Sequence, residues 1–538
     1  MPTTATPRRP TRVTTVAVAS LLVAALAAVL ALGVGTGEDD DVSSPETPHW
    51  RPSAHLTPRQ NWMNDPNGLV HVDGRYHAFY QYNPHGNDWG NMSWGHSSST
   101  DLVHWEEHPV ALPATTEEEA FSGSVVYDRD NRSGLGTAEN PPLVAVYTSA
   151  FKEGSGHEPG TQAQSVAWST DQGESWQRHP GNPVLSLDPP SRHFRDPKVT
   201  WYPEGGYWVM TAVVADDHVV KLYRSDDLLH WDFLSDFRAD SPEGVLWEMP
   251  ELVQVPVEGQ PGRREWVMLL SVNPGGIAGG SGMRYFAGTF DGTTFAASDE
   301  RATGPSPDGQ TWLDHGPDFY AATSVSHAPG ERPVVIGWMS NWAYAADVPT
   351  APWRGSMAIP RELALHETPT GLVLGNRPAA PVERAAGGRE QVLAHADVDG
   401  RRELAPLDDG GAHWVSATLR PGGSAAAGLQ LFGRGGREGA RVSYDRTAGE
   451  LVVQRAGSGP AAFTDRFSTR HRVPVPLEDG KVRLDVLVDR GSVEVFANGG
   501  RTSVTALALP EAGATGLAVL SEGGESAFED VRVRSLGS

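Results

Sequence analysis

A turn that recurs four times constrains this chain more than any other feature. Ser99-Thr100-Asp101-Leu102-Val103-His104-Trp105 returns as Ser169-Thr170-Asp171-Gln172-Gly173-Glu174-Ser175-Trp176 and as Ser225-Asp226-Asp227-Leu228-Leu229-His230-Trp231. A weaker copy is Thr289-Phe290-Asp291-Gly292-Thr293-Thr294-Phe295. Each copy sets an acidic turn residue four or five positions ahead of an aromatic. Strand-like sequence such as Gln164-Ser165-Val166-Ala167-Trp168 precedes it. This pattern reads as a hairpin whose turn carries Asp and whose second strand opens on a buried aromatic. The aromatics lie 55 to 71 residues apart, a spacing that suits one four-stranded propeller blade with its loops.

Composition agrees with an all-β reading. The chain has 538 residues, 60 Gly, 42 Pro and 17 Trp, so turns are frequent and more than one core is expected. No long stretch after residue 50 keeps a helical period. The formal charge of −24 repels phosphate backbones and anionic lipid, which excludes nucleic acid as a natural partner. With no cysteine, disulfides, thiolate nucleophiles and thiolate metal sites are ruled out.

Arg8, Arg9 and Arg12 precede an apolar run from Val16 to Val34, and acidic sequence follows. Residues 1–36 therefore read as a signal peptide, or as an N-terminal membrane anchor if retained. Residues 37–48 read as a disordered linker. The repeats place a catalytic propeller over 49–375. An Arg/Pro/Ala-rich stretch marks a linker at 376–394. Alternating strands such as Ser492-Val493-Glu494-Val495-Phe496-Ala497 make 395–538 a β-sandwich.

Three carboxylates sit in stiff, aromatic-rich segments. Asp65, in Asn61-Trp62-Met63-Asn64-Asp65-Pro66-Asn67-Gly68, precedes a proline that biases it towards extended backbone, with a tight Asn-Gly turn beyond. Asp196, in Phe194-Arg195-Asp196-Pro197, again precedes a proline and adjoins a guanidinium that favours its ionised form. Glu248, in Leu246-Trp247-Glu248-Met249-Pro250-Glu251, has apolar neighbours that disfavour the charge, as a general acid requires. Glu251 follows the proline and reads as more peripheral. Taken alone, each segment is what an ordinary turn or surface ion pair would use. Together they fit glycoside hydrolysis, in which one carboxylate attacks the anomeric carbon and a carboxylic acid protonates the leaving oxygen. No metalloprotease helix motif, phosphate-cradling loop or serine elbow competes with that reading.

These segments resemble glycoside hydrolase family 32, the invertase, inulinase and levanase group. The resemblance runs from His49 onward and rests on several motifs in order. They include the Trp62–Gly68 and Phe194–Pro197 segments, Phe79-Tyr80-Gln81-Tyr82-Asn83-Pro84, Trp94-Gly95-His96, Phe121-Ser122-Gly123-Ser124 and Trp247-Glu248-Met249-Pro250. Asp318-Phe319-Tyr320-Ala321-Ala322, Gly337-Trp338-Met339-Ser340-Asn341-Trp342 and Pro352-Trp353-Arg354-Gly355 follow. The resemblance implies an all-β chain: a five-bladed β-propeller, the fifth blade taken from the family, followed by a C-terminal β-sandwich. It implies that Asp65 attacks C2 of a fructosyl unit, that Glu248 is the acid/base, and that Asp196 with Arg195 binds the fructose hydroxyls. Asn64, Gln81, Trp89, Phe121 and Ser122 would line the pocket, with Trp62 and Trp342 as apolar walls. Met249 stands where many relatives carry Cys; a soft apolar side chain is kept there.

The implied activity is a secreted, retaining β-fructofuranosidase acting on sucrose or fructans, without metal or organic cofactor. Retention places the two carboxyl groups about 5–5.5 Å apart. Fructosyl transfer through the same intermediate, and an inactive fructan-binding protein, are the alternatives. No protein partner is expected, and a membrane only if the N-terminal segment is retained.

Overall fold

The structure, a computed structural model, describes residues 49–298, 309–369, 371–388, 390–408, 411–455, 463–467 and 470–537. The export segment and acidic linker, residues 1–48, lie outside the described residues. Five sheets form a propeller whose first strands are Asn61–Val72, Glu118–Tyr127, Phe194–Tyr202, Leu246–Pro256 and Tyr320–Ser324. These five strands touch in a closed ring around the channel. Blade 1 gains an extra short strand, Trp353–Arg354, which pairs parallel to its inner strand.

The repeated turn joins the third and fourth strands of blades 1 to 4. Its acidic residue works as a turn cap. Asp101 Oδ1 accepts the backbone N–H groups of Val103 and His104 at 2.9 and 2.8 Å. Asp227 does the same for Leu229 and His230, both at 2.9 Å, and Asp291 for Thr293 and Thr294. The serine two residues earlier accepts a further N–H, from Leu102, Gly173 or Leu228, each at 2.8 Å. Blade 5 turns instead through Thr368–Gly371, where the Thr368 hydroxyl donates to the Gly371 carbonyl. Its lack of the acidic cap is why the repeat counts four.

Every inner strand carries a β-bulge at one level of the channel. Asn64 and Asp65 stand opposite the single residue Gln81. Ser122 is the extra residue of blade 2. Asp196 and Pro197 oppose Ala212, Met249 and Pro250 oppose Leu270, and Ala321 and Ala322 oppose Gly337. A bulge breaks the alternation of a strand and re-aims the side chains on it, and it tolerates the proline that an unbroken inner strand would reject. Two glycines make room. Gly68 has φ +52°, and a Cβ there would lie 2.7 Å from Val125 Cγ2. At Gly355 (φ +94°) a Cβ would lie 2.1 Å from the Met63 carbonyl oxygen, so only glycine lets that segment pack beside Asp65.

Among the described residues, the C-terminal part holds ten strands, from Glu390–Glu403 to Gly516–Leu536, folded as a β-sandwich around a Val/Leu-rich core. The stretch expected as a linker, 376–394, carries regular elements among the described residues. It holds the end of strand Gly371–Pro378, a helix at Ala380–Ala385 and the start of strand Glu390–Glu403. Asn376 is buried there, its amide donating to the Leu313 carbonyl and to Ser503 Oγ. The sandwich packs on the propeller through Leu56, Trp414, Leu487 and Phe496 and through a buried ionic chain. Arg361 pairs with Asp314 at 2.8 Å and with Glu494, and His55 bridges Glu494 and Asp489, both at 2.7 Å.

Candidate active site

The bulges bring Asp65, Ser122, Asp196 and Glu248 together at one end of the channel, although up to 183 residues separate them in sequence. Arg195 sits between the carboxylates. Its Nη2 donates to Glu248 Oε1 at 3.0 Å, and its Nε lies 3.9 Å from Asp196 Oδ2. Burial works against its charge, but Glu248 and Asp196 outweigh that and hold it as a cation.

Asp65 Oδ2 accepts a hydrogen bond from the Ser122 hydroxyl at 2.8 Å. Among the described residues, its Oδ1 has no hydrogen-bond partner. Burial, and then the negative charge of Glu248, push Asp65 up to about 6. Ser122, Asn64 and Arg195 oppose that rise. Asp196 is also raised, by burial first and then by Glu248 and Asp65, with Arg195 pulling the other way. Its Oδ2 accepts the Met249 N–H at 3.0 Å, and its own N–H donates to Thr148 Oγ1 at 3.0 Å.

Glu248 has a different environment from the apolar one its sequence neighbours suggest. Trp247 belongs to a separate core cluster, and the Glu248 carboxylate meets Arg195 and the Tyr320 hydroxyl, which donates to Oε2. Burial and the adjacent Glu248 hold Tyr320 well above its usual range, so it stays a donor. Tyr320 and Thr148 are functional neighbours that the reading of the residues did not single out. The only signal for Tyr320 was its place in the Asp318–Ala322 motif.

The remaining expected pocket residues divide. Asn64 is buried beside Asp65 and accepts the Trp62 indole N–H at 2.7 Å. Trp62 itself is only 1 % exposed, in an apolar cluster with Met249, Tyr320 and Trp338, so it has no open face for a ligand. Trp342 stacks on it at 5.8 Å and is the more accessible wall. Trp89 is 50 % exposed at the lip, edge-on to Phe121 at 5.9 Å. Gln81 is buried, and its amide donates to the Ala120 carbonyl at 3.0 Å, tying blade 1 to blade 2 beside Phe121 and Ser122. Glu251 is not peripheral: it is 1 % exposed, on an inner strand next to the carboxylates. Among the described residues, no group of three metal-ligating side chains comes together.

Residues 55–376 match the Glycosyl hydrolases family 32 N-terminal domain, and residues 384–535 match the family 32 C-terminal domain. The chain belongs to glycosyl hydrolase family 32. It is 41% identical over 493 residues to a levanase of Bacillus subtilis (strain 168), covering 90% of this chain and 70% of that protein. It is 38% identical over 514 residues to an extracellular exo-inulinase of Aspergillus ficuum, covering 90% and 94%. The crystal structure of an exo-inulinase from Aspergillus awamori superposes with a TM-score of 0.84 at 36% identity, covering 92% of this chain and 99% of that one. A β-fructofuranosidase from Schwanniomyces occidentalis, solved with fructosyl-erythritol, gives 0.79 at 27% identity, covering 93% and 100%. As a family 32 member, the protein is a glycoside hydrolase with a five-bladed propeller and a C-terminal sandwich.

Proposed function

We propose that this family 32 enzyme is a secreted, exo-acting, retaining β-fructofuranosidase that removes terminal fructose from sucrose or fructans. The observation that carries the reading is the meeting of Asp65 and Glu248 around Arg195, each on its own bulged strand. Asp65 attacks C2 of the terminal fructosyl unit through its unengaged Oδ1, while Ser122 holds Oδ2. Glu248 gives its proton to the departing oxygen, and Arg195 and Tyr320 fix its orientation. The covalent fructosyl-enzyme then meets water. Glu248 takes a proton from that water as it attacks C2 and frees Asp65, and two inversions give net retention. Asp196, held by the Met249 N–H, binds the sugar hydroxyls.

Relatives named as exo-inulinases support exo action. Lys198, Glu251 and Thr323 are buried on the inner strands next to the carboxylates. Relatives named as extracellular support secretion. No helix among the described residues is long and apolar enough to cross a membrane. A product time course on sucrose, inulin and levan tests the reading. Free fructose as the first product from each polymer is expected; early oligomers would overturn exo action, and no hydrolysis of any of the three would overturn the fructosidase assignment.

A further inference from the structure

We propose that Lys198 and Glu251 are positioning residues: a buried ion pair next to the carboxylates that fixes the bulges from which Asp196 and Glu248 project. The proposal rests on the fructosidase reading above. Lys198 lies two residues beyond Asp196 on the inner strand of blade 3, and Glu251 three beyond Glu248 on that of blade 4. Lys198 Nζ is 3.4 Å from Glu251 Oε1. It also donates to Thr323 Oγ1 at 3.0 Å and to the Ser324 carbonyl at 2.6 Å, both on the inner strand of blade 5. Glu251 Oε2 accepts from Thr323 Oγ1 at 2.9 Å and from the Ser324 N–H at 2.7 Å, and Oε1 accepts from the Ser324 hydroxyl. One ion pair thus ties together the three strands that carry Asp196, Glu248 and Tyr320.

Stability alone gives no reason for this arrangement. The two side chains are 7% and 1% exposed, and taking both charges out of water costs as much as their attraction returns. A pair of apolar residues would pack there at least as well. What the pair does supply is geometry. Asp196, Met249 and Ala321, one on each of the three strands, hold φ values of +59°, +50° and +54°. Residues with side chains stay in that left-handed region only where their surroundings over-determine it. The space enclosed by Asp196, Lys198, Met249 and Thr323 is small, about 10 Å³, so the side chains around it are what brace the three bulges. The hydrogen-bonded pair is part of that brace, and the carboxylates inherit its precision.

The double substitution Lys198→Met with Glu251→Leu removes both charges and leaves neither unpaired. The expected result is a folded protein whose kcat on sucrose falls by about 10- to 100-fold, as for a misplaced catalytic group, while KM changes by less than about threefold. The acidic limb of kcat/KM should move upward, because the Met249 N–H that restrains Asp196 is no longer held in place. A folded double variant with wild-type kcat and an unmoved limb overturns the proposal. Should the double variant fail to fold, Thr323→Val decides. It removes only the hydroxyl shared by Lys198 and Glu251, and it is expected to lower kcat with the same upward shift of the limb; wild-type behaviour overturns the proposal. Failure of the wild-type enzyme to hydrolyse any fructan or sucrose would strike the fructosidase reading instead, so the two failures are distinguishable.

Discussion

Replacing Asp65 by Asn is expected to abolish turnover and to make the folded protein more stable at neutral pH. Burial and the charge of Glu248 raise Asp65 from 3.8 to about 6. An acid raised in this way costs the fold nothing below about pH 4, where it is protonated in both folded and unfolded states. The cost builds as pH climbs through the folded value and is complete above it, where the pocket must hold the charge. A shift of roughly 2 units corresponds to about 3 kcal/mol. Asp65 is only half-buried, so screening reduces the recoverable part to on the order of 1–2 kcal/mol. Asn keeps an acceptor for the Ser122 hydroxyl and adds no volume. Denaturant unfolding at pH 7.5 and pH 4 reads the effect: Asp65→Asn should exceed wild type at pH 7.5 and match it at pH 4. The kcat on sucrose should fall by on the order of 10⁴-fold, as for loss of a nucleophile. A variant that is destabilised at pH 7.5, or stabilised equally at both pH values, would refute the picture of a carboxylate held against its preference.

Two further outcomes follow from the same structure. Because Asp65 must be ionised to attack, kcat/KM should fall below about pH 6; Ser122→Ala, which removes a hydrogen bond to the charged form, should move that limb upward by about 1 unit, and a limb that stays in place would show that Ser122 does not restrain Asp65. At the domain interface, Asp489 and Glu494 raise His55 to about 10, so its stabilisation is full below pH 6.5 and is lost as pH rises through 10; His55→Leu should cost about 3–5 kcal/mol by denaturant unfolding at pH 6 and less at pH 10.5, and an equal cost at both would mean packing, not charge, is what is lost.

The sequence made the blades legible through their Asp-capped turns, because a cap and its acceptor sit within a few residues of each other. The three carboxylates were visible for a related reason: each adjoins a proline, or lies one residue from it, and prolines on inner strands mark bulges. The bulges themselves were hidden, since a register shift is a relation between two strands. Tyr320 and Thr148 were missed as partners because their contacts cross from one blade to another, over 72 residues to Glu248 and 48 to Asp196. Glu251 was misjudged because its position after Pro250 suggested an outward turn, whereas the bulge turns it into the channel. At 376–394, Arg, Pro and Ala composition suggested a linker, yet buried hydrogen bonds to Asn376 order the start of that segment.

The ring of interrupted ladders makes the catalytic end modular. Each blade offers one address at which a side chain can be swapped without rebuilding the backbone that presents it. Four addresses are filled by Asn64-Asp65, Ser122, Asp196-Pro197 and Met249-Pro250, with Glu248 as the neighbour of the last. The fifth holds two alanines, Ala321 and Ala322, both wholly enclosed. Ala321 also holds φ +54°, so that rung is closed to any larger or polar side chain unless its neighbours are repacked with it.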